Sequence, residues 1–235
     1  MRQSVAPSSL AGEAYDVVRQ RIVRGHVGLG QSISRRKLAA ELGMSFLPVS
    51  MAFLRLEHEG FIESRPRAGT RVRIPSKDDV RGHYVVREAL EVQAAKLFTS
   101  VATEREREEL KTLAARVDAL AWQTNRREQY VRAHLRLHRR VADCARCPTL
   151  SATIEQTNAL ASIWFCVIRR PLATASTRRH EDLMDVLCAG DGDRAAEAMR
   201  QHIAVGMDHT MEALAPYFKM RRATGRTYAR SAKFA

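Results

Sequence analysis

The sequence lacks the features that define several classes of protein. Its longest apolar run, Ala159 to Ile168, falls short of the roughly 18 residues that a membrane-spanning helix needs. Seven prolines and twelve glycines among 235 residues exclude a collagen-like or low-complexity chain. Four cysteines are too few for a disulfide scaffold, and the first residues, Met1-Arg2-Gln3-Ser4, form no charged-then-apolar signal segment. We therefore expect a cytoplasmic protein with reduced cysteines.

Acidic side chains are scarce at the two ends of the chain. The formal net charge is +13, of which +6 lies in residues 1–75, +1 in residues 76–215 and +6 in residues 216–235. With 45% apolar and 28% charged residues, the chain can bury a substantial core. A basic, compact N-terminal segment is typical of a protein that binds a polyanion. The basic tail either shares that role or is a solvated, disordered end.

The periodicity of apolar residues predicts a mainly α protein with two domains. Residues 8–74 mix helical periodicity with segments punctuated by glycine and proline, whereas residues 78–216 predict one helix after another. Pro75 interrupts regular structure and Ser76 can cap the next helix, so we place the boundary at about residue 76. The predicted segments are a first domain over 1–75, an antiparallel helical bundle over 76–216 and a basic tail over 217–235.

The first domain shows the element order of a winged helix-turn-helix. Three helices are predicted over residues 14–24, 35–42 and 45–59. Two alternating segments around Pro66-Arg67-Ala68-Gly69 then predict a β-hairpin. In this motif the helix after the turn enters the major groove and the hairpin forms the wing. The helix order, the turn glycine Gly43 and the basic hairpin favour DNA binding over an ordinary solvated hairpin.

The same segment resembles the GntR family of bacterial transcription regulators over nearly all of residues 10–74. The resemblance rests on Ile22-x-x-Gly25, Gly30-x-x-Ile33-Ser34-x-Arg36-x-Leu38-Ala39, Leu42-Gly43-Met44-Ser45, Pro48-Val49 and Leu54-x-Leu56-Glu57-x-Glu59-Gly60. It implies DNA contacts at Arg36, at two arginine positions early in the recognition helix and at the wing glycine. Those two arginine positions hold Phe46 and Ser50 here. The expected DNA-binding residues are Arg36, Ser45, Phe46, Ser50, Arg67 and Gly69.

Four of the eight histidines are spaced so that they can share one site. His134 and His138 lie four residues apart in a predicted helix, and therefore on one face of it. His180 and His202 lie on either side of a turn at Gly190, and two antiparallel helices hinged there would bring their imidazoles to the same height. A lone helical histidine is usually a surface or core residue. The set of four favours a metal site, and imidazole suits zinc, copper, iron or nickel.

The second domain resembles the FCD-type effector domain of the FadR subfamily of GntR regulators over about residues 78–205. The resemblance rests on Arg87-x-x-Leu90-Glu91-x-x-Ala94-Ala95, His138-x-x-Val141-x-x-Cys144, Pro148-x-Leu150 and His180-x-x-Leu183-x-x-Val186-Leu187-x-x-Gly190-Asp191. It implies a divalent metal held by an aspartate and three histidines. The histidines match His138, His180 and His202, and the aspartate position holds His134. Nitrogen in place of oxygen favours zinc, nickel or copper over manganese, with zinc and nickel the first candidates.

The resemblance also implies a small organic acid bound beside the metal, with Arg87 holding its carboxylate. Arginine suits that role because its guanidinium binds a carboxylate through two parallel hydrogen bonds. The alternative is that Arg87 pairs with Glu91, one turn further along the same helix.

The resulting hypothesis is a ligand-responsive transcription regulator, and a repressor in the arrangement commoner in the family. It would bind double-stranded operator DNA as a homodimer, without a membrane and without enzymatic activity. Two alternatives stay open. A metal-dependent enzyme could use the histidines, although the sequence has no His-Glu-x-x-His motif, nucleophile elbow or Gly-rich phosphate loop. A constitutive DNA-binding protein would instead show neither bound metal nor stabilisation by a ligand.

Overall fold

The computed structural model describes residues 9–167 and 177–231, and the chain divides into two compact units between Ile74 and Pro75. The prediction of a mainly α fold that begins with a winged helix-turn-helix is confirmed. The first unit contains the helices α1 (Leu10–Val23), α2 (Arg35–Leu42) and α3 (Phe46–His58) and the strands β1 (Ser32–Ile33), β2 (Ile62–Arg65) and β3 (Gly69–Val72).

The helix-turn-helix is formed by α2 and α3, and local capping explains its geometry. The Ser34 hydroxyl accepts a hydrogen bond from the backbone N–H of Lys37 and so begins α2. Gly43 ends this helix with a φ of 62°, in the left-handed region that glycine adopts without steric cost. The turn directs α3 away from α2. The inner face of α3 buries Val49, Phe53 and Leu56.

A small antiparallel sheet carries the wing, with strand order β1-β3-β2. In the hairpin, Ile62 lies opposite Val72 and Arg65 lies opposite Gly69. Strand β1 is an addition that the sequence did not predict, because two residues are too few to show an alternating pattern. It pairs with β3 and ties the segment before α2 to the wing.

The second unit is a bundle of long helices. They are α4 (Lys77–Val101), α5 (Glu104–Ala121), α6 (Arg127–Cys144), α7 (Pro148–Val167), α8 (Arg179–Cys188) and α9 (Gly192–Ser231), with a 3-10 turn at Thr124–Arg126 before α6. Ser76 and Asp79 form a reciprocal capping box that begins α4. No helix in the described ranges is both long enough and apolar enough to cross a membrane.

The last helix differs from the predicted end of the bundle at residue 216. The backbone of α9 stays helical through Pro216 and on to Ser231. Proline removes one intrahelical hydrogen bond, which normally ends or bends a helix. Here Leu214 and Phe218 are both buried, so apolar packing holds the helix on each side of the proline.

The burial of α3 makes a direct prediction about stability. We expect Phe53→Ala to lower the free energy of unfolding by about 3–5 kcal/mol, because this fully buried ring would leave a cavity. Leu54→Ala is the matched control, since Leu54 is 64% exposed and surface changes usually cost less than about 0.5 kcal/mol. Urea unfolding of both variants measures the difference. Equal losses would contradict the assigned inner face of α3.

Candidate metal centre and DNA-binding surface

The structure brings the four histidines of the second unit into one buried cluster. His134 and His138 come from α6, His180 from α8 and His202 from α9, and one potential ligand atom of each lies within 4.8 Å of those of the others. The ring centroids of His134 and His138 are 4.6 Å apart, and those of His180 and His202 are 4.9 Å apart. Each of the four side chains is less than a tenth exposed.

The turn between α8 and α9 explains how the second pair meets. Gly190 has a φ of 88°, which allows the chain to reverse after Cys188. The carboxylate of Asp191 then accepts hydrogen bonds from the backbone N–H groups of Asp193 and Arg194 and so caps α9. His180 and His202 therefore lie opposite each other on the two helices.

A carboxylate on α5 fixes the orientation of His180. Asp118 Oδ1 lies 2.5 Å from His180 Nδ1, and Asp118 Oδ2 accepts hydrogen bonds from the backbone N–H groups of His180 (2.8 Å) and Glu181 (3.0 Å). Nδ1 is thus the protonated nitrogen, and Nε2 keeps the lone pair. His180 Nε2 is buried and has no hydrogen-bond partner among the residues that the structure describes.

A second carboxylate, on α4, lies against His138. Glu91 Oε2 is 2.6 Å from His138 Nδ1, and Glu91 Oε1 accepts a hydrogen bond of 2.7 Å from Arg87 Nε. All three side chains are nearly inaccessible. Unlike Asp118 with His180, Glu91 forms no well-directed hydrogen bond with His138, and within the described ranges neither ring nitrogen of His138 has a hydrogen-bond partner.

Burial disfavours the charged form of three of the four imidazoles. It lowers the pKa of His180 to about 4, although Asp118 acts in the opposite direction. Burial also holds the pKa of His134 and that of His202 well below the usual value, assisted by neighbouring positive charge. Burial alone would raise the pKa of the Glu91 carboxyl, but Arg87 and His138 outweigh it and hold that pKa well below its usual range.

These observations fit a divalent transition-metal ion. Metal ligation requires neutral imidazoles, and carboxylates on the far ring nitrogen are the usual means of orienting them. The donor set of four nitrogens suits zinc or nickel better than magnesium, calcium or manganese.

Arg87 forms an ion pair with Glu91, the partner that we considered as the alternative to an effector carboxylate. Its guanidinium pairs with Glu91 and lies over the ring of Tyr84, 5.1 Å from the centroid. This contact does not test the predicted role of Arg87 in effector binding, which stays a prediction.

Three polar residues of the bundle were missed by the sequence analysis. Asp118 lies 62 residues from His180, so no local pattern connects them. Arg179 precedes His180, and its Nη2 donates a hydrogen bond of 2.8 Å to the carbonyl of His202. Asn158 is 5% exposed, and neither Oδ1 nor Nδ2 has a hydrogen-bond partner in the described part of the chain. Of these three, only Arg179 could have been found from the sequence, because it directly precedes the predicted metal ligand His180.

The first unit has a basic groove between α2, the start of α3 and the wing. Its volume is about 490 Å³, and it is lined by Ser32, Ile33, Ser34, Arg35, Arg36, Lys37, Phe46, Ala68, Gly69 and Thr70. Three of the predicted DNA-binding residues, Arg36, Phe46 and Gly69, are thus brought together. The other three lie elsewhere: Ser45 is the exposed N-cap residue of α3, Ser50 has a buried hydroxyl, and Arg67 lies exposed at the tip of the hairpin.

The arginines around this groove differ in their partners. Arg71 pairs with Glu63 at 2.6 Å, and Arg35 donates to the Ser64 hydroxyl. Arg36 and Arg67 are exposed and form no ion pair with any residue described by the structure. Their charges are therefore available to the phosphates of a nucleic acid.

The fold and the two surfaces define a two-domain transcription regulator, with a winged helix-turn-helix unit followed by a helical unit that carries the histidine cluster. Residues 10–72 match the family model of bacterial regulatory proteins, gntR family, and residues 83–205 match that of the FCD domain. The chain belongs to the GntR family of transcription regulators, in the group that carries an FCD domain. Members of this family bind DNA and are not enzymes, which removes the metal-dependent enzyme from consideration.

Relatives that align over most of the chain are named as transcriptional repressors, and a solved structure shares the fold. The "Probable D-xylose utilization operon transcriptional repressor" of Paenarthrobacter nicotinovorans is 29% identical over 86% of this chain and 89% of its own length. The Escherichia coli transcriptional repressor RspR is 26% identical over 81% and 84%. A crystal structure of a protein from Rhodococcus sp. RHA1 shares the fold with a TM-score of 0.73 at 18% identity, over 86% of this chain and 98% of its own.

The buried ion pair beside the histidines allows a test of the cluster's electrostatics. We expect Glu91→Gln to destabilise the metal-free protein by about 3–5 kcal/mol, because it leaves the Arg87 guanidinium buried without a counter-charge. Glu88→Gln, on the same helix, removes a half-exposed pair with Arg200 and should cost less than about 1 kcal/mol. Urea unfolding in the presence of a chelator compares them, and equal costs would show that the Arg87–Glu91 pair is not desolvated.

Proposed function

We propose that this regulator is a repressor that binds operator DNA as a homodimer and responds to a small carboxylate, with a divalent metal in its FCD domain. The observation that carries the proposal is the cluster of four buried imidazoles with ligand atoms within 4.8 Å of one another, two of which lie against buried carboxylates. The names of the two curated relatives support repression as the sign of regulation. Binding to operator DNA implies a cytoplasmic location.

The winged unit supplies the DNA contacts in this proposal. Arg36 and Arg67 present positive charge to the phosphates, and the groove beside Gly69 lets the phosphates approach the protein backbone closely. Helix α3 enters the major groove. One such unit covers a single half-site. A two-fold symmetric dimer on a palindromic operator covers two, which supports the homodimer.

Arg36→Ala tests the DNA-binding surface. We expect the variant to lose about 1–3 kcal/mol of operator affinity and to show a weaker dependence on salt, because a phosphate or base contact is removed. Arg116→Ala, an exposed arginine of α5, is the control. Fluorescence anisotropy with an operator identified by footprinting measures affinity, and sedimentation should give two chains per operator. Unchanged affinity in Arg36→Ala, or one chain per operator, would contradict the proposal.

His134, His138, His180 and His202 would hold the metal, and Asp118 and Glu91 would orient two of those ligands. When bound, the metal supplies a positive charge at the centre of the bundle and a tie between α6, α8 and α9. The fully buried position of the ligands excludes water from the cluster, which favours a stable, resident ion.

Asp118→Asn tests the metal centre without removing a ligand. We expect metal affinity to fall about 10–100-fold, because the amide no longer fixes the protonated Nδ1 of His180. Asp185→Asn, on the exposed side of α8, should leave affinity unchanged. Competition with a chromogenic chelator for zinc and for nickel measures both variants. A wild-type protein that neither retains nor rebinds either metal would refute the proposed site.

The effector would bind where two buried guanidinium groups lie near the histidines. Arg87 is neutralised by Glu91, whereas Arg179 has no carboxylate within ion-pair distance in the described ranges. Arg179 Nη2 and the ring of Tyr84 both lie beside Gly206. The guanidinium of Arg87 lies over the same Tyr84 ring. The two guanidinium groups are balanced by the buried carboxylates of Glu91 and Asp118, so the bound divalent metal would supply the net positive charge that attracts an anion, and burial would strengthen that attraction.

Asn158 supplies a further polar group at the same height of the bundle. Val131 of α6 packs against Ala161 of α7, and Ala142 packs near Ile154. Along α7, Asn158 lies between Ile154 and Ala161. Along α6, the histidine pair lies between Val131 and Ala142. The unpartnered amide of Asn158 is therefore level with His134 and His138, where it can donate to a carboxylate or hydroxyl group.

Ligand-induced stabilisation tests the effector part of the proposal. A sugar acid, dicarboxylate or hydroxy acid at 100 times its dissociation constant should stabilise the wild type by about 2.7 kcal/mol in a thermal-shift screen. The shift should disappear in Arg87→Ala, in Arg179→Ala and after removal of the metal. Arg178→Ala, an exposed neighbour, is the control. A ligand that still stabilises both arginine variants and the metal-free protein would place the effector elsewhere.

A further inference from the structure

The recognition helix α3 carries an unusual outward face. Between Gly43 and Leu54 the sequence has no Lys, Arg, His, Asp or Glu. Instead, four large apolar side chains are exposed: Phe46 (53%), Leu47 (69%), Met51 (55%) and Leu54 (64%). We call this set the apolar face. Exposed apolar side chains in such a cluster mark a surface that binds a partner.

The apolar face is not a misplaced part of the core. Leu47, Met51 and Leu54 follow the spacing of one helix side, whereas the opposite side buries Val49 and Phe53. The buried side of α3 thus already packs in the core of the first unit. The exposed apolar side of α3 is therefore not needed for that core.

The surroundings of the apolar face favour a nucleic acid as its partner. Phe46 lines the same groove as Arg36, Lys37 and Gly69, and residues 1–75 carry a net charge of +6. A partner must therefore offer negative charge at its edges and apolar groups at its centre. The major groove of duplex DNA has that arrangement, with phosphates along both sides and the C5-methyl groups of thymine on its floor.

The polar groups that usually recognise other bases are lacking at the start of α3. The Ser50 hydroxyl is buried, and Arg55 is held by Glu59 with its guanidinium over the ring of Tyr15, 3.9 Å from the centroid. Recognition of guanine normally uses arginine or lysine, and recognition of adenine uses asparagine or glutamine. Within the described residues, the first two turns of α3 offer none of these.

We propose that the apolar face recognises thymine methyl groups, so that the operator half-site is defined by thymines at the positions beneath Phe46, Leu47 and Met51. This inference rests on the proposed binding of operator DNA and adds the chemical basis of its specificity. The flanking arginines supply affinity for the phosphates, while the apolar side chains select the sequence through the methyl groups.

The test uses the full chain and a duplex selected from a random pool. Replacing each thymine singly by deoxyuridine removes only the C5-methyl group. We expect at least two such changes in each half-site to weaken binding by about fourfold each, the effect of losing one buried methyl. Leu47→Ser and Met51→Ser should each become insensitive to deoxyuridine at one of these positions. Leu10→Ser, at an exposed leucine of α1, should keep the full response.

The outcomes separate this inference from the proposed function. If selection yields no preferred sequence, the binding of a specific operator fails, and this inference with it. If a preferred sequence is found but no deoxyuridine weakens binding, the operator assignment stands and methyl recognition is wrong. If Leu47→Ser dissociates a dimer but leaves DNA affinity and the response to deoxyuridine unchanged, the apolar face binds a second copy of the chain, which also overturns the inference.

Discussion

The helical unit depends on the contact between the Asp118 carboxylate and His180. One oxygen of Asp118 fixes the imidazole and the other accepts two backbone N–H groups at the start of α8. The beginning of a helix and the orientation of a candidate ligand are therefore set by one buried side chain on a different helix. The chain of contacts from Arg87 through Glu91 to His138 links α4 to α6 in the same manner. Such buried charges stay favourable only while every partner is present.

Two sites with different physical chemistry follow from this architecture. The histidine cluster is buried and lies among both arginine and carboxylate side chains, which suits a metal ion. The winged unit presents free surface arginines and an apolar recognition helix to DNA. If an effector changes operator affinity by some factor, the operator must change effector affinity by the same factor. An effector that lowers operator affinity releases the repressor from DNA, and an effector that raises it recruits the repressor to DNA.

Local patterns predicted most of the fold and the ligand cluster, but not the groups that orient it. The i, i+4 spacing of His134 and His138 and the turn at Gly190 each predicted one pair of neighbouring histidines. The resemblance to the FCD domain implied that both pairs share one site, and the structure places them together. Asp118 could not be found this way, because its contact with α8 is purely tertiary. Strand β1 was too short for a pattern, and the packing around Pro216 overrides the usual helix-ending effect of proline.

X-ray absorption spectroscopy of the protein loaded with one equivalent of zinc is the most direct test of the central claim. The claim is that this FCD domain holds its metal through imidazoles alone among its side chains. We expect one zinc per chain with the signature of several histidine ligands and no sulfur. A spectrum with sulfur ligands, or one dominated by water oxygens, would show that the cluster of His134, His138, His180 and His202 is not the metal site.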